Sequence, residues 1–226
     1  MRIILLIIPA VSFLSASTPK DDGNSERIPH HTADAATVKL VYGGIMDSQA
    51  LGIDVNIGIN VEMDTSIGLR YEVKYDLGAK NHTAFYYKFS NPHQVIMYDF
   101  YTHKSRVIKE SGPAKEPEIS VVGKDVIKQY SCTHLNHQHS DGNATEDYWM
   151  SPAVPGFAQV AHVLNKIDPT LKQMIINQSI FNWGGLVELH MKAVEDGGQT
   201  TTFNLYLSSA QSGIRINLAD FDPPSK

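Results

Sequence analysis

The chain has 226 residues, 42% of them hydrophobic and 19% charged, which is enough apolar material for one globular domain with its own core. Its 24 acidic residues against 19 basic ones give a formal charge of −5, and no basic stripe marks it for nucleic acid, so that partner class is excluded. Cys132 is the single cysteine, which excludes an internal disulfide and leaves the fold to apolar burial.

Met1 and Arg2 precede the apolar run Ile3 to Leu14, and Ser15, Ala16 and Ser17 follow it. A charged start, a short apolar stretch and a small-residue end read as a signal peptide over residues 1–17, too short for a permanent anchor. The expected location is therefore periplasmic or extracellular, with no membrane-spanning segment in the mature chain. Residues 18–35 are polar and aperiodic, with Pro29, His30 and His31 among them, and read as a flexible tail. A single domain is expected over residues 36–224.

Val38, Leu40 and Tyr42 open the first strand, which Gly43 and Gly44 are expected to bend or end. From Ile53 to Leu77 apolar and polar residues alternate with period two, broken only at Asp64, Thr65 and Ser66, so the segment is a long amphipathic hairpin. Phe85, Tyr87 and Phe89 continue the alternation, and Val95 to Tyr101 is a denser apolar run bounded by polar turns, with a shorter one from Arg106 to Ile108. Lys109 to Pro117 is a polar linker. Strands resume at Val126, Tyr130 and Cys132 and again from Glu146 to Met150, with His134 to Asn143 as the hairpin connection between them.

The period then changes. Phe157, Val160, Ala161, Leu164 and Ile167 fall at helical spacing, and Asp168 and Pro169 start a second helix striped by Leu171, Met174 and Ile175. Three strands are expected to close the chain, centred on Leu189, Leu205 and Ile216, with the turn 195–198 joining the first two. The pattern is mainly β (α+β): an antiparallel sheet covered on its apolar face by two helices inserted near residues 155–177. A membrane-spanning barrel would show even strand lengths and no amphipathic helix pair, and the sequence shows neither.

The second half resembles an uncharacterised family of bacterial exported domains that are themselves similar to the lipoprotein carriers LolA and LolB. The residues that carry the resemblance are 129–134 (QYSCTH), 146–150 (EDYWM), 184–189 (GGLVEL), 200–203 (TTTF) and 221–224 (FDPP). The resemblance implies a strongly curved antiparallel sheet, an open LolA-like half-barrel closed by helices, with lipid held between sheet and helices in the carriers. It supplies no activity and no site residue. The chain departs from LolB in having no lipidation cysteine, and its linker and His-rich loop are not part of the carrier pattern.

The apolar face is the first candidate site: a pocket lined by Ile57, Val61, Leu69, Tyr71, Val73 and Phe85 with Phe157, Val160 and Leu164 as a lid, or the same residues as a dry core. His134, His137 and His139 are candidate metal ligands, although on an extended strand His134 faces away from the other two. Cys132 with His134 is the one arrangement resembling a nucleophile and base, against the commoner role of a small buried residue. Asp54, Glu62, Asp64, Glu72 and Asp76 read as a solvated charged face with Arg70 and Lys74 among them.

These residues point to an exported, non-catalytic protein without a cofactor. Its candidate partners are a hydrophobic ligand, lipid or lipidated protein. The alternative is a structural or protein-interaction module of the cell envelope whose His-rich loop binds metal.

Overall fold

The computed structural model describes residues 37–49, 52–76, 82–92, 94–108, 118–139, 142–156, 182–195 and 197–224. They form one antiparallel sheet of eleven strands: β1 (Thr37–Ser48), β2 (Ile53–Asp64), β3 (Gly68–Tyr75), β4 (His82–Lys88), β5 (Val95–Asp99), β6 (Lys104–Ile108), β7 (Ile119–Ile127), β8 (Tyr130–Gln138), β9 (Ala144–Ser151), β10 (Gly185–Val194) and β11 (Thr200–Ser212). The spatial order is β6-β5-β4-β3-β2-β1-β11-β10-β9-β8-β7. Two meanders thus meet where β1 pairs with β11, and β6 and β7 are the edges of an open sheet.

The hairpin β2–β3 forms as its alternation requires. Val55, Ile57, Ile59, Val61 and Met63 are buried on one face, with Leu69 and Val73 beside them on β3. Leu40 and Tyr42 of β1 extend this face, and Leu135, Tyr148, Leu189 and Leu205 of the second meander join it in one core. Each such side chain contributes about 1.5–3 kcal/mol by leaving water.

Gly43 and Gly44 do not end β1, which continues to Ser48. A Cβ at Gly44 would stand 2.4 Å from the Asn204 carbonyl oxygen, and one at Gly43 would stand 3.1 Å from the Tyr206 hydroxyl. The glycines therefore let β11 approach β1 closely, and they do not break the strand.

Two other expectations are corrected. His134 to Gln138 belong to β8, so the connection to β9 shrinks to residues 139–143. Ile214 and Ile216 do not form a closing strand. Both sides of β11 are already taken, by β1 and β10, and Gly213 turns the chain away at φ +68°. The segment instead meets Thr37, whose Oγ1 donates to the Ile214 carbonyl at 2.5 Å, and enters a 3-10 turn η1 (Leu218–Phe221) capped by the Asn217 side chain. Lys88 of β4 pairs with Asp222 at 2.5 Å, and Phe221 is buried.

The expected helices, with Phe157, Val160 and Leu164, lie outside the described residues. Among the described residues helical turns occur at 182–183 and in η1, and no helix is long and apolar enough to cross a membrane.

Candidate functional site

The apolar face gathers the residues the sequence singled out. Ile57, Val61, Leu69, Val73 and Phe85 are all buried in the main core, and Tyr71 packs against it with its ring 6.0 Å from that of Phe85. Alternation on β2, β3 and β4 places them there, because the registers Val61↔Tyr71 and Tyr71↔Phe85 set them side by side.

Tyr42 and Tyr75, which the expected lining left out, join Tyr71 on this face. Tyr42 of β1 donates its hydroxyl to the Leu186 carbonyl at 3.2 Å. Burial raises the Tyr42 hydroxyl far above its ordinary range, and Tyr130 adds to the shift. Burial raises Tyr71 likewise, with Tyr75 and Tyr42 adding to it, and pushes Tyr75 up to about 12. The inner face therefore combines an apolar body with a small group of neutral hydroxyls. Their odd and even positions in the same alternation as the aliphatic residues were the signal available.

The histidines separate. His134 turns to the outer face, stacks on Trp149 with centroids 4.4 Å apart, and bonds Asp147 at 2.9 Å. His137 is buried on the inner side and uses Nδ1 to bond the Glu118 carbonyl at 3.0 Å. The ring of His139 lies 4.8 Å from that of His137, and its Nε2 lies 3.3 Å from Glu146 Oε1. Glu146 is only 2% exposed, and its Oε2 accepts a hydrogen bond from the Tyr148 hydroxyl. The ligand atoms of His137, His139 and Glu146 all lie within 4.8 Å of one another. The three expected histidines are thus not brought together: His134 stands apart, and Glu146 lies beside His137 and His139 instead. Centring the hairpin on Asp141 and Gly142 pairs position 137 with 146, as observed, so the sequence carried this signal.

Cys132 and His134 do not form a pair. Cys132 sits in the main core, its Sγ donates to the Tyr130 carbonyl at 3.5 Å, and burial raises the thiol pKa, which keeps the sulfur protonated. Buried Cys132 and Leu135 are three apart, so strict alternation fails between them, and opposite them β7 shifts register between Val121 and Gly123.

The charged face of β2–β3 is not the solvated surface its pattern suggests. Glu62, Asp64 and Glu72 are buried, while Asp54 and Asp76 are exposed. Glu62 pairs with Lys39 at 2.7 Å and Arg70 at 3.2 Å, and Glu72 pairs with Arg70 and His82, each at 2.5 Å. His82 stacks on Phe100, beside the second small core of Ala84, Tyr86 and Tyr98. Neighbouring side chains bury these carboxylates on the outer face, and paired charge is how it tolerates that.

No family model matches the chain, and no curated protein matches it. Its fold is similar to that of an uncharacterized conserved protein from Thermus thermophilus, at 7% identity and a TM-score of 0.46 over 83% of this chain and 85% of that one. It is similar also to a DUF1329 family protein from Desulfovibrio piger, at 10% identity and a TM-score of 0.37 over 84% and 90% of the two chains. A LolA superfamily protein from Nitrosomonas europaea matches at 7% identity and a TM-score of 0.35 over 84% and 91%.

Proposed function

We propose that the chain is an exported, non-catalytic binding protein that holds a lipid, another hydrophobic ligand or a lipidated partner against the inner face of its open sheet. The observation that carries this reading is the continuous apolar face of Ile57, Val61, Leu69, Val73 and Phe85, into which the neutral hydroxyls of Tyr42, Tyr71 and Tyr75 are set. An apolar surface with a few placed donors suits an amphiphile, whose tail and polar end need both. Phe157, Val160 and Leu164 are assigned here to the cover of that face, and residues 1–17 to export. Organic extraction of the purified full chain, followed by mass spectrometry of the extract, tests the reading: a stoichiometric apolar compound supports it and an empty extract counts against it.

A second reading, an interaction module of the cell envelope, is favoured by edge strand β7, where Val121, Val122 and Val126 are 54%, 58% and 74% exposed. An apolar strand edge is a template for pairing with another chain. Val122→Lys with Val126→Lys abolishes partner capture under this reading and leaves any extracted lipid unchanged; capture that persists contradicts it.

A further inference from the structure

We propose that His137, His139 and Glu146 bind a zinc ion at the β8–β9 end of the sheet. The cluster stands apart from the ligand reading above, since its readout is the metal itself.

Glu146 is the first argument. Its carboxylate is buried on the inner side of β9, in alternation with the core residues Tyr148 and Met150, where an apolar side chain would be the stable choice. A buried carboxylate is costly unless it meets donors or a cation. Oε2 is held by the Tyr148 hydroxyl, and Oε1 faces His139. One oxygen is thus oriented by a neighbour while the other faces the remaining donors, the usual division for a carboxylate ligand supported from outside the shell.

The histidines supply the second. The Glu118 carbonyl accepts from His137 Nδ1, which places the proton there and leaves Nε2 as the ligating nitrogen. His139 Nε2 stands 3.3 Å from Glu146 Oε1. Tetrahedral bonds of about 2.0–2.1 Å separate neighbouring donors by roughly 3.3 Å, so this edge already has the spacing of a zinc shell. All three donors fall within 4.8 Å, and a side-chain rotation on the order of an ångström closes the rest.

The scaffold supplies the third. His137 and Glu146 are register partners on adjacent strands, and the His139 amide bonds the Ala144 carbonyl at 2.9 Å, which fixes the hairpin end. The His139 side chain is 18% exposed, so the ion has a route in from solvent. Two imidazoles and one carboxylate favour zinc over calcium or magnesium, which take oxygen shells. Three protein ligands leave a fourth position for water.

The test is calorimetric titration of the untagged, EDTA-treated full chain with Zn2+, with the visible absorption of Co2+ as a second probe. One equivalent is expected, with the Co2+ spectrum of a tetrahedral site. His137→Gln, His139→Gln and Glu146→Gln are each expected to weaken binding by about 100-fold, and Tyr148→Phe by about 10-fold. Glu146→Gln keeps an acceptor for Tyr148, so circular dichroism should show it folded. His134→Gln and the double change His30→Ala, His31→Ala should leave affinity unchanged. Absence of one-to-one binding by the folded wild type overturns the proposal. So does binding that survives Glu146→Gln and His137→Gln at full strength, or that disappears with His30 and His31.

Discussion

The two meanders use the same side of one sheet differently. In the strands β1 to β4 the buried residues of the inner face are aliphatic and aromatic apart from Ser48 at the end of β1, and the buried charges, Glu62, Asp64 and Glu72, all lie on the other face. In β8 and β9 the inner face itself holds His137 and Glu146 among Leu135, Tyr148 and Met150. The first half keeps its buried charges on the outer face, each paired with a neighbouring side chain or turn. The second places polar groups where packing alone would exclude them, which is the mark of a site and not of a core.

Cavity-making changes give the largest expected effect and test whether the halves share one core. Leu69→Ala in the first meander and Leu135→Ala in the second should each lower stability by about 2–5 kcal/mol and move one common unfolding transition in denaturant. Two separate transitions would break the single-core account. Arg70→Met comes next, at about 2–4 kcal/mol, because it strips Glu62 and Glu72 of their shared cation; an effect near zero would mean that the outer network is solvent-screened. Metal-free Glu146→Gln should cost only about 1 kcal/mol, since the amide oxygen still accepts from Tyr148. That small cost, beside a large loss of zinc, would sharpen the contrast between the halves.

Alkaline titration addresses the inner hydroxyls. The folded pKa of Tyr75, at about 12, lies above its unfolded value, so its contribution is fully present below about pH 10 and is lost as pH rises through the folded value. Tyr42 and Tyr71 shift the same way. The denaturation midpoint should therefore fall above about pH 10, and Tyr75→Phe should flatten part of that fall. An identical slope in the variant would remove Tyr75 from the buried set. The smallest effect is expected from Val107→Ala on exposed β6, within about 0.5 kcal/mol.

Much of the fold was legible because a strand with one buried face writes its period into the sequence. Ile53 to Tyr75 showed this most plainly, and Phe85 and Tyr87 followed. What stayed hidden depends on neighbours that a local pattern does not name. Gly43 and Gly44 look like a break until Tyr206 and Asn204 are seen against them. Ile214 and Ile216 look like a strand until β11 proves to have no free side. Glu62 and Glu72 look solvated until Arg70 is seen bridging them. At the histidine cluster the residue types were visible, but the partner was not. Glu146 enters through hairpin register, and His134 leaves because alternation sends it to Trp149.

The most direct test of the account is native mass spectrometry of the full chain purified without added detergent. The account predicts a one-to-one apolar adduct that organic solvent removes, and a rise in the unfolding midpoint when the stripped protein is given lipid back. A bare polypeptide mass, with a midpoint that lipid does not move, would contradict it.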